Sequence, residues 1–170
     1  MGKLKLCVVL VCLAAMSLLA DDDSEGNIFD FKTMAPVTGP YVGTANPVRG
    51  VPGGGLPWVI TQGKGELKGD GRVVVRVKGL VLADDPAVPA NLRLTNPIAN
   101  FRAIVSCLTI DGNGLASMVN VSTGNFPATS DGDARIDETL TLPTTCFAPI
   151  VFVTTPGGAW LAVTGFHRSE

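Results

Sequence analysis

Two cysteines are the residues of this chain whose type and spacing most clearly indicate chemistry. Cys107 and Cys146 lie about 39 residues apart in the second half of the 170-residue chain. An isolated pair is typical of a disulfide in an oxidising compartment. A metal site would need more Cys or His ligands, and a redox pair usually shows Cys-x-x-Cys. The spacing predicts a structural disulfide, which the chain-entropy model values at about 4 kcal/mol.

The single histidine argues against most catalytic arrangements. A Ser-His-Asp site, a Cys-His site or a catalytic zinc would have to use His167, which lies in the last four residues. A frayed chain end does not hold a side chain to the tolerance that catalysis requires. The sequence therefore predicts no catalytic residue, no metal and no cofactor, although it does not exclude an enzyme.

Acidic residues cluster before and within a stretch predicted to be a strand. Asp131 and Asp133 have the oxygen ligands that calcium prefers, but their segment lacks the glycine and the ligand order of an EF-hand. We interpret them as part of a solvated face, with a calcium site as the alternative. Glu138 shares parity with Ile136 and should point inward. It would then pair with a buried arginine such as Arg102, or serve as a carboxylate in a pocket.

The first twenty residues predict the compartment. Lys3 and Lys5 precede an apolar run over residues 6–16, and Ala20 comes before three aspartates. This pattern is typical of a secretory signal peptide, and the run is shorter than the roughly 20 apolar residues that span a membrane. We therefore predict a secreted or extracytoplasmic protein with no membrane span after cleavage. Cleavage after residue 20 would also remove the other two cysteines, Cys7 and Cys12.

The elements that position these residues are predicted to be strands. Charged residues make up 16% of the chain, which has 20 Gly and 12 Pro, and Val, Thr and Ile are abundant. This composition favours strands joined by tight turns. The clearest strand is 72–78, where Val73, Val75 and Val77 face one way and basic residues face the other. Residues 111–114 are a strong hairpin signal.

About eight such strands follow at short spacing, without a convincing helix after the signal. We predict an all-β fold, a two-sheet antiparallel β-sandwich, because a single sheet this apolar would leave one face exposed. A closed barrel is the alternative. The predicted organisation is a signal peptide (1–20), an irregular Pro/Gly-rich flexible leader (21–56), the sandwich domain (57–166) and a C-terminal tail (167–170).

Loops 83–100 and 122–131 are the predicted binding surface, because long loops in compact domains are usually functional or mobile. The candidate binding residues are Arg93, Asn96, Arg102 and Glu138. The formal net charge is −2, and it falls to −4 without residues 1–20. This acidity argues against a nucleic-acid partner and leaves an unknown protein or glycan at the cell surface. Asn120-Val121-Ser122 also matches the N-glycosylation acceptor pattern.

Six short motifs lie in the last two-thirds of the chain. They are Pro57-Trp58-Val59-Ile60, Val77-Lys78-Gly79-Leu80-Val81-Leu82, Asn96-Pro97, Phe101-Arg102-Ala103-Ile104-Val105-Ser106-Cys107, Phe126-Pro127-Ala128 and Cys146-Phe147-Ala148-Pro149-Ile150-Val151-Phe152-Val153. In these motifs residues 58–166 resemble a group of uncharacterised secreted proteins, mainly bacterial. The resemblance implies a secreted domain with two cysteines and transfers no catalytic residue.

The sequence thus favours a secreted, disulfide-stabilised binding or envelope-associated module. One alternative is a small extracellular hydrolase or lyase that uses carboxylates around Glu138. Another is a structural surface protein, which would self-associate. Glu138 in an open polar pocket would favour the enzyme, whereas a paired Glu138 would favour the module.

Overall fold

The computed structural model describes residues 26–164. The predicted signal peptide, the first five residues of the predicted leader and the tail with His167 lie outside the described residues. Within the described range, no helix has the length and apolar character needed to cross a membrane. The helical structure there is a single 3-10 turn at Gly39–Tyr41.

Twelve strands form within residues 26–164. They are β1 (Asn27–Phe31), β2 (Met34–Pro36), β3 (Trp58–Val59), β4 (Gln62–Lys68), β5 (Arg72–Lys78), β6 (Val81–Leu82), β7 (Asn100–Ile110), β8 (Ala116–Ser122), β9 (Phe126–Pro127), β10 (Ala134–Thr139), β11 (Phe147–Thr154) and β12 (Trp160–Thr164). Several are only two or three residues long, which is why the sequence pattern predicts about eight.

The first sheet has the strand order β1-β4-β5-β10, and every neighbouring pair is antiparallel. Val73, Val75 and Val77 of β5 are buried, with Leu67 of β4 and Ile136 of β10. The alternating pattern of the sequence correctly predicts this apolar face, because successive side chains of a strand point to opposite faces.

The second sheet has the order β2-β12-β11-β7-β8, and β9 pairs with the start of β7. Between Phe101 and Cys107, side chains of both parities of β7 are buried apart from the half-buried Arg102. This strand is therefore covered on both faces, as its continuous apolar run predicts. The all-β, two-sheet antiparallel sandwich is confirmed.

The structure corrects the extent of the predicted leader. From residue 27 the chain is part of the sandwich, because β1 pairs with β4 and β2 pairs with β12. Residues 37–56 then lie against the second sheet, where Val37 and Val51 are buried and the Trp160 amide donates to the Pro52 carbonyl at 2.8 Å. The domain therefore includes residues 27–56. The sequence does not predict these short strands, because proline and glycine interrupt the alternating pattern that marks a strand.

Candidate functional site

The predicted disulfide between Cys107 and Cys146 is confirmed. Their Cα atoms are 4.8 Å apart. Cys107 is fully buried in β7, and Cys146 immediately precedes β11. The bond thus ties the start of β11 to its antiparallel neighbour.

Asn96 joins the two predicted binding loops instead of facing a ligand. Its side chain is buried, and its Nδ2 donates to the carbonyl oxygens of Ile98 and Thr129, both at 2.8 Å. Its Oδ1 accepts the Ile98 amide at 2.9 Å, and its own amide donates to the Ser130 carbonyl. The structure thus corrects the expectation that Asn96 is a binding residue.

Arg93 is engaged within its own loop. Its Nε donates to the Val88 carbonyl at 3.1 Å, and its Nη1 forms an ion pair with Asp84 at 3.4 Å. The side chain is about one-third exposed. These contacts join Arg93 to other residues of the 83–100 loop.

Glu138 and Arg102 do not pair as the sequence predicts. Glu138 Oε2 accepts the Gly124 amide at 2.8 Å, whereas Arg102 Nη1 donates to the Pro156 carbonyl at 3.2 Å. No ion pair found within residues 26–164 joins them. Glu138 instead holds the backbone of the 122–131 loop against the edge strand β10.

Asp131 and Asp133, the residues considered for calcium, are not part of a cluster of metal ligands among the described residues. Asp133 Oδ1 accepts the Gly79 amide at 2.9 Å, and Asp131 is exposed. In the part of the chain that the structure describes, no three His, Cys, Asp or Glu side chains are grouped to hold a metal ion. Asp133 therefore has a structural role in joining the end of β5 to the 122–131 loop.

The most distinctive charged surface lies on the outer face of the first sheet. Arg76 in the centre of β5 is directly opposite Lys64 of β4 on one side and Arg135 of β10 on the other. Lys78 lies two residues beyond Arg76 and is directly opposite Gln62. We call Lys64, Arg76, Lys78 and Arg135 the cationic patch.

The side chains of the cationic patch are exposed and surround a shallow cavity of about 510 Å³. The one carboxylate in its lining is that of Asp133, which already accepts the Gly79 amide. Among residues 26–164, no acidic side chain lies within ion-pair distance of Lys64, Arg76 or Lys78. Like charges directly opposite each other destabilise a sheet, and the nearest carboxylates on this face are those of Asp30 and Glu66, which line a neighbouring cavity with Lys64 and Arg76.

At the other end of the same face, one carboxylate pairs with two arginines. Asp137 Oδ1 accepts from Arg72 Nε at 2.9 Å, and Asp137 Oδ2 accepts from Arg135 Nη2 at 2.7 Å. The hydrogen bonds from Arg72 and then Arg135 lower the pKa of Asp137 from 3.8 to about 2. Two guanidinium groups share one carboxylate, so Arg135 still contributes positive charge to the patch.

Sequence reasoning missed this patch, although part of the signal is visible. The alternation in β5 places its basic residues on the solvent side. The net charge of the whole chain is acidic, however, and gives no sign that basic residues cluster on one face. Lys64 and Arg135 are 71 residues apart in the chain. Only the register of three neighbouring strands brings them beside Arg76.

A second concave surface is apolar. This groove has a volume of about 590 Å³ and lies between the start of β11, the end of β12, β1 and the turn at Val48 and Arg49. The Arg49 guanidinium donates to the carbonyl oxygens of Ser106 and Ala148. We assign no ligand to this groove, because nothing in the described structure indicates an occupant.

Comparison with protein-family models, curated proteins and solved structures finds no match for the chain. The resemblance to uncharacterised secreted proteins therefore remains a prediction. The geometry and charge of the described residues are the basis for assigning a function.

Proposed function

We propose that the protein is a secreted, disulfide-stabilised binding module that binds an anionic polysaccharide at the cell surface through the cationic patch. The observation that carries this proposal is the row of Lys64, Arg76 and Arg135, directly opposite each other on three strands. A sheet tolerates such a row at a cost in stability. A ligand that brings several negative charges to it would relieve that cost.

The spacing of the row favours a ligand with repeated charges over a single small anion. Neighbouring strands are about 4.8 Å apart, so the backbones of Lys64 and Arg135 are separated by about 10 Å. Arginine binds carboxylate or sulfate groups in a bidentate manner, and lysine adds a mobile point charge. Gln62, which also lines the cavity, provides an amide for neighbouring hydroxyl groups. Uronate or sulfated sugars have this combination of groups.

A glycan fits this surface better than a nucleic acid. Sites for single-stranded nucleic acids usually combine basic residues with aromatic side chains on which bases stack. The lining of the cationic patch contains no aromatic residue. The predicted extracytoplasmic location also favours a surface polysaccharide.

The hydrogen bonding of Glu138 favours a binding module over the hydrolase or lyase alternative. Its carboxylate accepts a backbone amide and positions a loop. Asp137, whose pKa is lowered, forms ion pairs with two arginines and is held in its ionised form.

The first prediction tests the cationic patch directly. Titration calorimetry of the secreted chain should detect binding to polygalacturonate, but not to a neutral dextran of similar length. Replacing Lys64 and Arg76 with Gln should weaken binding by about tenfold or more, equivalent to about 1.4 kcal/mol, because two unpaired cations are lost. Added salt should also weaken binding, because the interacting charges are exposed.

Lys68→Gln is the matched control, because Lys68 lies on the same strand but pairs with Glu66. It should leave the affinity nearly unchanged. An equal loss in this control, or binding to dextran as tight as to polygalacturonate, would overturn the proposal. Tighter binding to single-stranded DNA would assign the patch to a nucleic acid instead.

A further inference from the structure

The outer face of the first sheet has a second row of charged residues beside the cationic patch. In β4, Glu66 lies two residues from Lys64 on the same face, which is about 7 Å along the strand. It is directly opposite Asp30 of the edge strand β1 on one side and Val74 of β5 on the other. A row that contains two carboxylates therefore runs parallel to the row of basic residues.

These two carboxylates line the neighbouring cavity, which has a volume of about 320 Å³. Lys64 and Arg76 are part of the lining of both cavities, and Lys32, which comes directly after β1, adds a third basic side chain to the neighbouring one. The two cavities thus follow each other across the strands, from β10 through β5 and β4 to β1. A linear polymer that crosses the sheet would place successive units in them.

The two cavities differ in charge. The lining of the cationic patch has four basic side chains and one carboxylate, a formal charge of +3. The lining of the neighbouring cavity has three basic side chains and two carboxylates, a formal charge of +1. An ionised carboxylate only accepts hydrogen bonds, so Asp30 and Glu66 repel an anionic group and favour a hydroxyl or amide donor. The neighbouring cavity therefore fits an uncharged sugar unit better than a uronate or a sulfated sugar.

Both carboxylates can still accept hydrogen bonds from a ligand. Glu66 forms an ion pair with Lys68 at 3.8 Å, and its side chain is about one-third exposed. Asp30 is exposed and accepts from the Asn27 side-chain amide at 3.2 Å. Since an ionised carboxylate has about four lone-pair sites, these contacts leave positions for hydroxyl groups. Hydrogen bonds from hydroxyl groups to carboxylates are stronger than those to neutral acceptors.

We infer that the neighbouring cavity is a second subsite of the polysaccharide site, and that it takes an uncharged sugar linked to the acidic sugar on the cationic patch. The acidic unit lies over Lys64, Arg76 and Arg135, and the uncharged unit donates hydroxyl groups to Asp30 and Glu66. The inference rests on the proposed function, since it names the kind of polysaccharide that the cationic patch binds. That polymer alternates acidic and uncharged sugars.

The second subsite is tested by titration calorimetry with two oligosaccharides of equal length. One is oligogalacturonate, in which every sugar is acidic. The other is a hyaluronan oligosaccharide, in which glucuronate alternates with uncharged N-acetylglucosamine. The secreted chain should bind the hyaluronan oligosaccharide more tightly, although fewer of its sugars are charged. A cationic surface without the second subsite would bind oligogalacturonate more tightly, because its charge density is higher.

Asp30→Asn combined with Glu66→Gln should shift the ratio of the two affinities by about tenfold or more toward oligogalacturonate, because the two repulsive charges are removed. Asp85→Asn combined with Asp111→Asn is the matched control. It removes the same charge from loops outside the first sheet, and asparagine can still accept the backbone amides that both aspartates bind. The control should leave the ratio unchanged. Circular dichroism would show that both variants are folded.

The outcomes separate this inference from the proposed function. Suppose that the chain binds oligogalacturonate through Lys64 and Arg76, but the variant at Asp30 and Glu66 keeps the wild-type ratio. The second subsite would then be rejected and the proposed function would stand. A wild-type preference for oligogalacturonate would have the same meaning. A chain that binds neither oligosaccharide would overturn the proposed function, and this inference with it.

Discussion

Asn96 shows how one buried amide can organise a surface. Its side chain makes three hydrogen bonds to backbone groups, and its main-chain amide makes a fourth. These bonds join loop 83–100 to loop 122–131. The two loops are close together, as a shared binding surface would require, but Asn96 is part of their support.

Asn96→Ala should lower the free energy of unfolding by about 2–3 kcal/mol, because several backbone groups would lose their partners in a buried site. Urea denaturation measures this change. The exposed neighbour Asn91 offers a matched control, and Asn91→Ala should change stability by less than about 0.5 kcal/mol. Equal effects of the two variants would contradict the structural role of Asn96.

Asp137 makes the stability of the first sheet dependent on pH. Its pKa is lowered from 3.8 to about 2 by Arg72 and Arg135, so the ionised form is favoured in the folded protein. The contribution is present above the unfolded pKa near 4 and is lost as the pH falls through about 2. Asp137→Asn should therefore reduce the urea midpoint at pH 7 and have little effect near pH 2.

The exposed Asp131 provides the control for this pH dependence. Asp131→Asn should leave the urea midpoint unchanged at both pH values, because no described ion pair involves it. A deficit of Asp137→Asn that persists unchanged near pH 2 would show that its charge is not responsible.

At the scale of elements, the Pro/Gly-rich segment is the main difference between expectation and structure. Strands β1 and β2 extend both sheets, and the Val37 amide donates to the Leu161 carbonyl at 2.9 Å. Gly53 shows why small residues are needed here. A Cβ atom at this position would lie 1.9 Å from the Tyr41 carbonyl oxygen, so the close backbone approach requires glycine.

Truncation to residues 57–170 should therefore prevent cooperative folding, since it removes two strands and exposes the residues that residues 27–56 cover. Truncation to residues 26–170 is the control and should retain a cooperative transition. Thermal unfolding followed by circular dichroism distinguishes them. A cooperative transition of similar midpoint in the shorter chain would show that residues 27–56 are dispensable.

At the scale of the whole molecule, the two proposed subsites together use all four strands of the first sheet. Residues of β4, β5 and β10 line the cationic patch, and residues of β1, β4 and β5 line the neighbouring cavity. Strand β1 belongs to the segment that the sequence predicts to be a flexible leader. The second subsite therefore depends on the folding of residues 27–56 into the domain.

Local chemistry explains why much of the fold can be predicted. Val73, Val75 and Val77 show their buried face through alternation alone, and residues 111–114 mark a turn between β7 and β8. The disulfide between Cys107 and Cys146 can be predicted because these are the two cysteines that remain once residues 1–20 are assigned to a signal peptide. The strand and turn predictions depend on residues that are near each other in the chain. The disulfide prediction depends on each cysteine having one possible partner left.

The cationic patch and the role of Asn96 depend on contacts that no local pattern contains. Lys64, Arg76 and Arg135 meet because β4, β5 and β10 pair in one particular register, although β10 comes from a distant part of the chain. Asn96 is buried because a second loop closes over it. Composition and periodicity thus indicate which faces of the strands are apolar. The packing of the whole chain sets which polar residues become neighbours, because strand register and loop contacts join residues far apart in sequence.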